Sequence, residues 1–414
     1  PHYTILKVET LLFKEPYMQN PIMLDKTNHN DREWNWQRYR ARVGAQITPI
    51  KDSSLEINLR AVWEFRNYCK PEARGQNHFD EIIFDRFNVK WTMPVGDAKL
   101  TTTIGRQDII KGGGWLVLDG TPLDGSRTIF FDAARFEFEL PEKKSLDLIY
   151  IYQTPNSKWL PRISAQKEFP TAEQIEQGII AWYTDKNKPL GFFDQTDAYF
   201  IYKQCQTNGH PSGIDADLYT FGVSGVKKID ENWTIKGEIA GQFGRRNGQR
   251  VCALASNNRL TYSFNDSRKT KFHLDYEYLS GDKSNTSAYE GFDVLWGRWP
   301  RVSEVYAYTM ATEAGRPADI TNLHRVALLW ETTINPKVNL CGGYHLFFAP
   351  QTLTGPGVGK GNFRGQLFQA RMNYKINEHV SGHLMAEYFI PGDAYSSMRN
   401  DPALMLRYEL TFKL

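Results

Sequence analysis

The chain has 414 residues, 14% of them aromatic and 23% charged, and a formal net charge of +3. That charge is too small and too dispersed for a nucleic-acid binder, and no basic run interleaves with aromatics as a single-strand binder requires. No run of about eighteen uncharged apolar residues occurs, which excludes spanning helices but not a β-barrel, whose strands need only every second residue to face lipid.

Alternating runs bounded by turn signals predict strands at 3–12, 36–48, 55–68, 81–93, 98–108, 127–140, 145–154, 177–184, 196–204 and 216–228. Further runs lie at 233–245, 251–264, 269–280, 322–334, 338–350, 364–376, 379–390 and 402–414. They number about eighteen, an even count, as closed bacterial barrels require. In the last run Leu404, Leu406, Tyr408, Leu410, Phe412 and Leu414 share one face, and Met405, Arg407, Glu409, Thr411 and Lys413 the other. Repeated through the chain, such alternation fits an oil-facing exterior around a polar bore, with the aromatic share collecting in girdles at the two interfaces.

The connections alternate in length. Short turns fall at 94–97, 141–144, 230–232, 265–268, 335–337 and 377–378, and long segments at 13–35, 109–126, 155–176, 281–321, 351–363 and 391–401. This is the order of an all-β, up-and-down antiparallel transmembrane barrel with short periplasmic turns and long extracellular loops. It requires 177–184 and 196–204 to be separate strands joined by a turn at 185–195. Counting the alternating run 302–310 would make the total odd, so it is placed in a folded extracellular loop. Thr171 to Gln177 has helical composition and a threonine cap, which predicts a short loop helix. No linker, charge block or low-complexity tract divides the chain, so 1–414 reads as a single domain. The chain starts at Pro1 with no charged and apolar leader, and a secretory signal is expected to have been removed.

Facing outward from inward residues strand by strand gives a lumen dense in charge, and hence wet. Arg38, Arg40, Arg42 and Gln46 point in from the second strand; Glu56, Asn58, Arg60, Glu64 and Arg66 point in from the third. Later strands add Arg86 and Lys90, Arg135 with Glu137 and Glu139, Lys236 with Glu238, Arg259, Arg371 with Lys375, and Arg407 with Glu409. Inward guanidiniums match carboxylates and favour anions in a pore, or they brace the wall in salt-bridge ladders. For a single arginine bracing is the commoner role. Arg38, Arg40 and Arg42 are like charges on one face that must share few carboxylates, so a net positive field is expected there.

Other signals point to structure. The glycine-rich segment 355–361 lacks the Ser or Thr of a phosphate loop and reads as a mobile loop. Gly222 to Gly225 lacks nucleophile-elbow spacing. His273, His345 and His383 fall on inward positions of separate strands and read as polar lumen residues, and Asp215 with Asp217 is too small a set for a calcium site. Cys69, Cys205, Cys252 and Cys341 have no CxxC spacing; isolated thiols are the simpler account, with a Cys69 to Cys205 disulfide as the alternative. No catalytic constellation or cofactor is expected, so the chain is not read as an enzyme.

The run from Ile104 to Asp108, a glycine-rich loop and then Arg127 to Arg135 resemble the "GRQ, loop, FD-x-x-R" signature of the bacterial alginate-export family of outer-membrane proteins. Tyr278 to Asp282, Gly291 to Leu295 with Asp319 to Asn322, and Glu387 to Tyr395 are similar to further pieces in the same order, spanning about 36 to 414. The resemblance implies an eighteen-stranded barrel and passive export of an anionic polysaccharide through an arginine-rich pore. It carries over Arg106, Asp132 and Arg135 as pore or loop-anchoring residues, although strict alternation turns Arg106 outward unless a bulge intervenes. Inward acids that nearly balance the bases, a terminal Leu414 and four cysteines depart from the family pattern.

The expectation is therefore a passive bacterial outer-membrane channel for an acidic, alginate-like polysaccharide or smaller anionic solutes, with Arg38, Arg40, Arg42, Arg60 and Arg135 as its track. Expected partners are outer-membrane lipid and lipopolysaccharide, the anionic solute and periplasmic export machinery. Two alternatives stay open: a weakly selective porin with structural lumen charges, and a non-transporting scaffold whose outer loops bind a surface partner.

Overall fold

The computed structural model describes residues 3–14, 33–70, 76–78, 81–119, 128–156, 159–163, 169–207, 213–298, 301–305, 319–354, 358–397 and 400–413. The first strands in chain order are β1 (Tyr3–Lys14), β2 (Glu33–Ile47), β3 (Glu56–Lys70), β4 (Gln76–His78), β5 (Ile83–Val95), β6 (Ala98–Gln107), β7 (Ile110–Lys111), β8 (Val117–Leu118), β9 (Phe131–Leu140), β10 (Lys144–Gln153) and β11 (Ile175–Asp185). They are followed by β12 (Gln195–Gln206), β13 (Ala216–Lys228), β14 (Trp233–Arg246), β15 (Gln249–Ser263), β16 (Lys271–Leu279), β17 (Leu323–Asn335), β18 (Val338–Phe348), β19 (Phe363–Lys375), β20 (Val380–Pro391) and β21 (Ala403–Lys413).

Among the described residues nineteen strands form one sheet, antiparallel at every pairing, while β7 and β8 make a separate hairpin. The three-residue β4 pairs with β3; the other eighteen correspond one to one with the predicted strands. The sheet closes where β1 pairs with both β2 and β21, Leu6 lying opposite Ala41 and Phe412. Closure leaves no free edge, and an even strand count lets the first and last strands meet antiparallel. Val89, Ile104, Ile179, Phe221, Ile239, Leu254, Leu328 and Leu406 stand exposed around the wall. In water each would forgo about 1.5–3 kcal/mol of burial, whereas hydrocarbon solvates all of them.

The period of two fails where the inner wall needs it to. Between β3 and β5 the register slips, Arg60 lying opposite Arg86 and Ala61 opposite Phe84, so Asp85 is an extra residue. This bulge lets the neighbours Asp85 and Arg86 both reach inward partners.

A second departure concerns the bore, which is not charged and wet throughout. Ile149, Ile151, Ile180, Ile201, Leu218, Val251 and Leu279 point inward and join one buried cluster with residues of two infolded loops. The β6–β9 loop contributes Trp115, Leu116 and Val117, and the β16–β17 loop contributes Phe292, Leu295 and Trp296. The Trp115 and Phe292 rings stack at 6.2 Å. Trp296 N–H donates to the Leu116 carbonyl at 3.0 Å, and Leu118 N–H to the Trp296 carbonyl at 3.3 Å. Gly112, Gly113 and Gly114, with φ of 58°, 81° and 82°, turn the first loop at angles that side chains resist. A Cβ on Gly297 would stand 1.9 Å from the Trp115 carbonyl oxygen, so the close approach of the two loops needs glycine there.

Buried charges tie the second loop to the wall. Arg298 pairs with Glu173 at 2.8 Å and Arg246 with Asp293 at 2.7 Å. Lys203 meets Glu176 at 3.3 Å and donates to the Leu295 carbonyl at 2.9 Å, while Trp296 Nε1 donates to Glu176 at 2.8 Å. These partners explain why Thr171 to Gln177 is not the predicted helix. Residues 171–174 are bends and β11 begins at Ile175, opposite Gln206, because sheet pairing and the Glu173 and Glu176 contacts override local propensity. Of the run 302–310, Ser303 and Val305 fold inward onto Glu387; positions 306–310 lie outside the described residues, as do Arg127 and Leu414.

Candidate functional site

The inner faces of β2, β3 and β5 carry a basic ladder. Arg40 meets Glu64 at 3.2 Å, and Arg66 Nε donates to the same carboxylate at 2.7 Å. Arg42 and Arg60 share Asp85 at 3.0 and 2.7 Å. Arg60 also reaches Asp108 at 3.1 Å, which Arg86 contacts as well. Each of the three carboxylates therefore bridges two guanidiniums. Arg38 lies over the Trp36 ring at 5.3 Å and Arg66 at 5.4 Å, and Glu9 stands opposite Arg38 in the β1 register. Accessibility divides the set: Arg40 is buried, while the side chains of Arg42 and Arg86 are 24% and 39% exposed.

Two loop carboxylates set the field beside the ladder. Burial opposes the charge on Asp108, yet Arg60 and Arg86 outweigh it and hold the carboxyl below its usual range. Asp119, just after β8, goes the other way: burial first, then the charge on Asp108, lifts its carboxyl to about 6. Its buried Oδ1 has no hydrogen-bond partner among the described residues.

The rest of the wall is more evenly matched. Arg135 grips Asp147 with contacts of 2.7 and 3.0 Å and meets Glu137 at 2.6 Å, and Lys90 stands 4.0 Å from Glu56. Beneath the loops a cavity of about 540 Å³ is lined by Lys236, Arg259, Asn257, Gln369, Arg371 and Arg407 among others. In it Lys236 donates to the Gly112 carbonyl at 3.0 Å and faces Glu238 at 3.4 Å, and Arg259 holds Asp275 at 2.6 Å. Arg407 meets Glu304 at 2.8 Å and His383 at 3.0 Å. Arg371 is exposed and donates to Asn373 at 2.7 Å, with no carboxylate partner among the described residues.

Arg106 and Asp132 stand apart from the ladder. They are cross-strand neighbours joined by contacts of 2.8 and 2.9 Å, with Arg106 also donating to the Phe84 carbonyl and lying 3.7 Å over the Phe130 ring. At 4% exposure the guanidinium clamps β5, β6 and β9 together. Asp85, Lys203 and Glu176 carry no sign of these roles in the sequence: the bulge hides Asp85, and the contacts of Lys203 and Glu176 with Leu295 and Trp296 form only once the β16–β17 loop folds inward. The four cysteines are free thiols, so the Cys69 to Cys205 disulfide is not formed. Asp217 lies in β13 and accepts from Tyr202 and Gln204, apart from Asp215, and no metal-binding group of side chains occurs among the described residues.

A family model described as alginate export matches residues 13–402. Among solved structures the chain is similar to Pseudomonas aeruginosa OpdQ, at 11% identity and a TM-score of 0.57, over 100% of this chain and 98% of that one. Pseudomonas aeruginosa OccK11 (OpdR) aligns at 12% identity and a TM-score of 0.56, over 100% and 96% of the two chains. Pseudomonas aeruginosa OpdK with vanillate aligns at 12% identity and a TM-score of 0.54, over 100% and 98%. At these identities the likeness shows the fold alone. No curated protein matches the sequence.

Proposed function

The chain belongs to the alginate export family of outer-membrane β-barrel channels, and from that premise we propose that it passively conducts an anionic solute, an acidic alginate-like polysaccharide, along its arginines. The observation that carries this reading is the sharing of Glu64, Asp85 and Asp108 among Arg40, Arg66, Arg42, Arg60 and Arg86. Five guanidiniums around three carboxylates favour a positive field, and the accessible Arg42, Arg60 and Arg86 offer it to solute. A polyanion moves past such groups by exchanging weak contacts, each replacing part of its lost hydration. Lys90, Arg135, Lys236, Arg259, Arg371 and Arg407 extend the polar surface around the bore. Synthesis or a concentration gradient on the periplasmic side would drive export, handed over by periplasmic machinery.

The pairing of Arg135 with Asp147 and of Arg259 with Asp275 favours a second reading, a weakly selective porin whose lumen charges brace the wall. Reversal potentials in a salt gradient across planar bilayers separate the two. The anionic reading expects clear anion preference at neutral pH, and values near zero support the porin. Absence of any conductance would overturn both and leave the scaffold.

A further inference from the structure

The turn between β11 and β12 is the longest of the described periplasmic turns of the barrel. It runs for nine residues, Lys186 to Asp194, and contains a short 3-10 turn at Pro189–Gly191. It is tightly held: Phe192 and Phe193 N–H both donate to the Pro189 carbonyl, Asp194 N–H to Val226, and Lys186 N–H to Lys143. Yet this ordered turn displays Leu190 at 87% exposure and Phe192 at 58%. Leu190 sits at φ 56°, a left-handed conformation that a leucine resists. A built turn that strains a leucine in order to hold it outward calls for an apolar medium around it.

The direction of display identifies that medium. Phe193 lies against the outer face of Gly225, where a Cβ would come within 2.8 Å of its ring. Gly225 continues the outward row of Phe221 and Val223, which are exposed in the lipid-facing band. The Leu190 and Phe192 patch thus extends the apolar wall at its periplasmic rim and is continuous with the membrane-facing surface. Around it stand Lys143, Lys186, Lys188, Lys227 and Lys228, none with a carboxylate partner among the described residues, and Lys227 Nζ lies 5.0 Å over the Phe192 ring. The nearby acids are engaged: Glu142 with Lys144 at 2.6 Å, Asp185 with Asn187 N–H and Asp194 with Lys228 N–H. Ammonium groups above an apolar step match a phosphate headgroup above acyl chains.

We propose that the β11–β12 turn, with Lys143, Lys227 and Lys228, is a binding site for an anionic glycerophospholipid of the periplasmic leaflet. Leu190 and Phe192 enter the upper acyl region and the lysines hold the phosphate. A soluble periplasmic protein fits less well, because the apolar residues lie along the outer wall, where lipid already sits. Lipopolysaccharide occupies the opposite leaflet.

The test uses the whole barrel in detergent, titrated with phosphatidylglycerol or phosphatidylcholine and read by native mass spectrometry. Wild type is expected to retain phosphatidylglycerol preferentially. A variant carrying Lys143→Gln, Lys186→Gln, Lys188→Gln, Lys227→Gln and Lys228→Gln is expected to lose that preference by at least about tenfold, since one lysine near an anionic surface contributes roughly fivefold. Heat-modifiable gel mobility verifies that it is folded. In a second measurement Leu190→Cys, in a Cys69→Ser, Cys252→Ser background, carries a polarity-sensitive fluorophore in phosphatidylglycerol nanodiscs. Quenching by brominated acyl chains is expected. An unchanged lipid preference in the folded lysine variant, or a fluorophore that stays in water, overturns the proposal.

Discussion

Arg42, Arg60 and Arg86 differ from Arg40 and Arg106 in what they leave for a solute. The first three are partly exposed and share their carboxylates, whereas Arg40 is buried against Glu64 and Arg106 is spent on Asp132. Replacing Arg86 by alanine is expected to move the reversal potential toward the cation side while barrel stability changes little, because Asp108 keeps its contact with Arg60. Arg106→Ala should do the reverse: selectivity is kept, but Asp132 loses its partner, at a cost of about 1–3 kcal/mol, seen as a lower midpoint in heat-modifiability. Asp119 adds a pH dependence whose sign follows from its raised carboxyl. Above about 6 it is an anion beside Arg42 and Arg60; below about 6 it is neutral and the surplus positive charge grows. Anion preference should therefore rise as pH falls through about 6, and Asp119→Asn should hold the acid-side value at every pH. The alternation at Arg38, Arg40 and Arg42 made the ladder legible in sequence. Of its counter-charges Glu64 was legible as well, but Asp85 and Asp108 were not, because Asp85 reaches the ladder only through a bulge and Asp108 only from the loop after β6.

At the scale of elements the strands and the loops obey different rules. Each strand announces itself by alternation, and the turn at 185–195 separates β11 from β12 as the parity of connections requires. The loops carry no such period. Their aromatic residues, Trp115, Phe292 and Trp296, look in sequence like loop or girdle residues and prove to be the core of the bore. Glu173 and Glu176 looked helical and instead receive Arg298 and Trp296 from a loop more than a hundred residues away. If these contacts hold the β16–β17 loop inside, removing one partner should release it. Arg298→Ala leaves Glu173 buried without its bidentate partner, a loss of about 3–5 kcal/mol. Faster proteolysis between 281 and 298 and a larger single-channel conductance are expected; unchanged values of both would mean that the apolar contacts of Trp296 and Leu295 suffice.

For the whole molecule, closure and medium act together. A cylinder with Phe221, Ile239 and Leu328 outside keeps its strands paired while hydrocarbon surrounds it. Ile239→Arg, in mid-strand, is expected to cost about 2–4 kcal/mol in bilayers, read by reversible unfolding from vesicles, because a guanidinium there must leave water for lipid. Alternation of apolar and polar residues is a local property with one geometric meaning, so the sequence by itself determined the barrel, its strand count and the lipid-facing side. Only the tertiary structure decided what fills the bore, which arginines are spent on carboxylates and which remain open. Those outcomes depend on loops folding back across more than a hundred residues and on register slips such as the one at Asp85, and neither leaves a periodic trace in the chain.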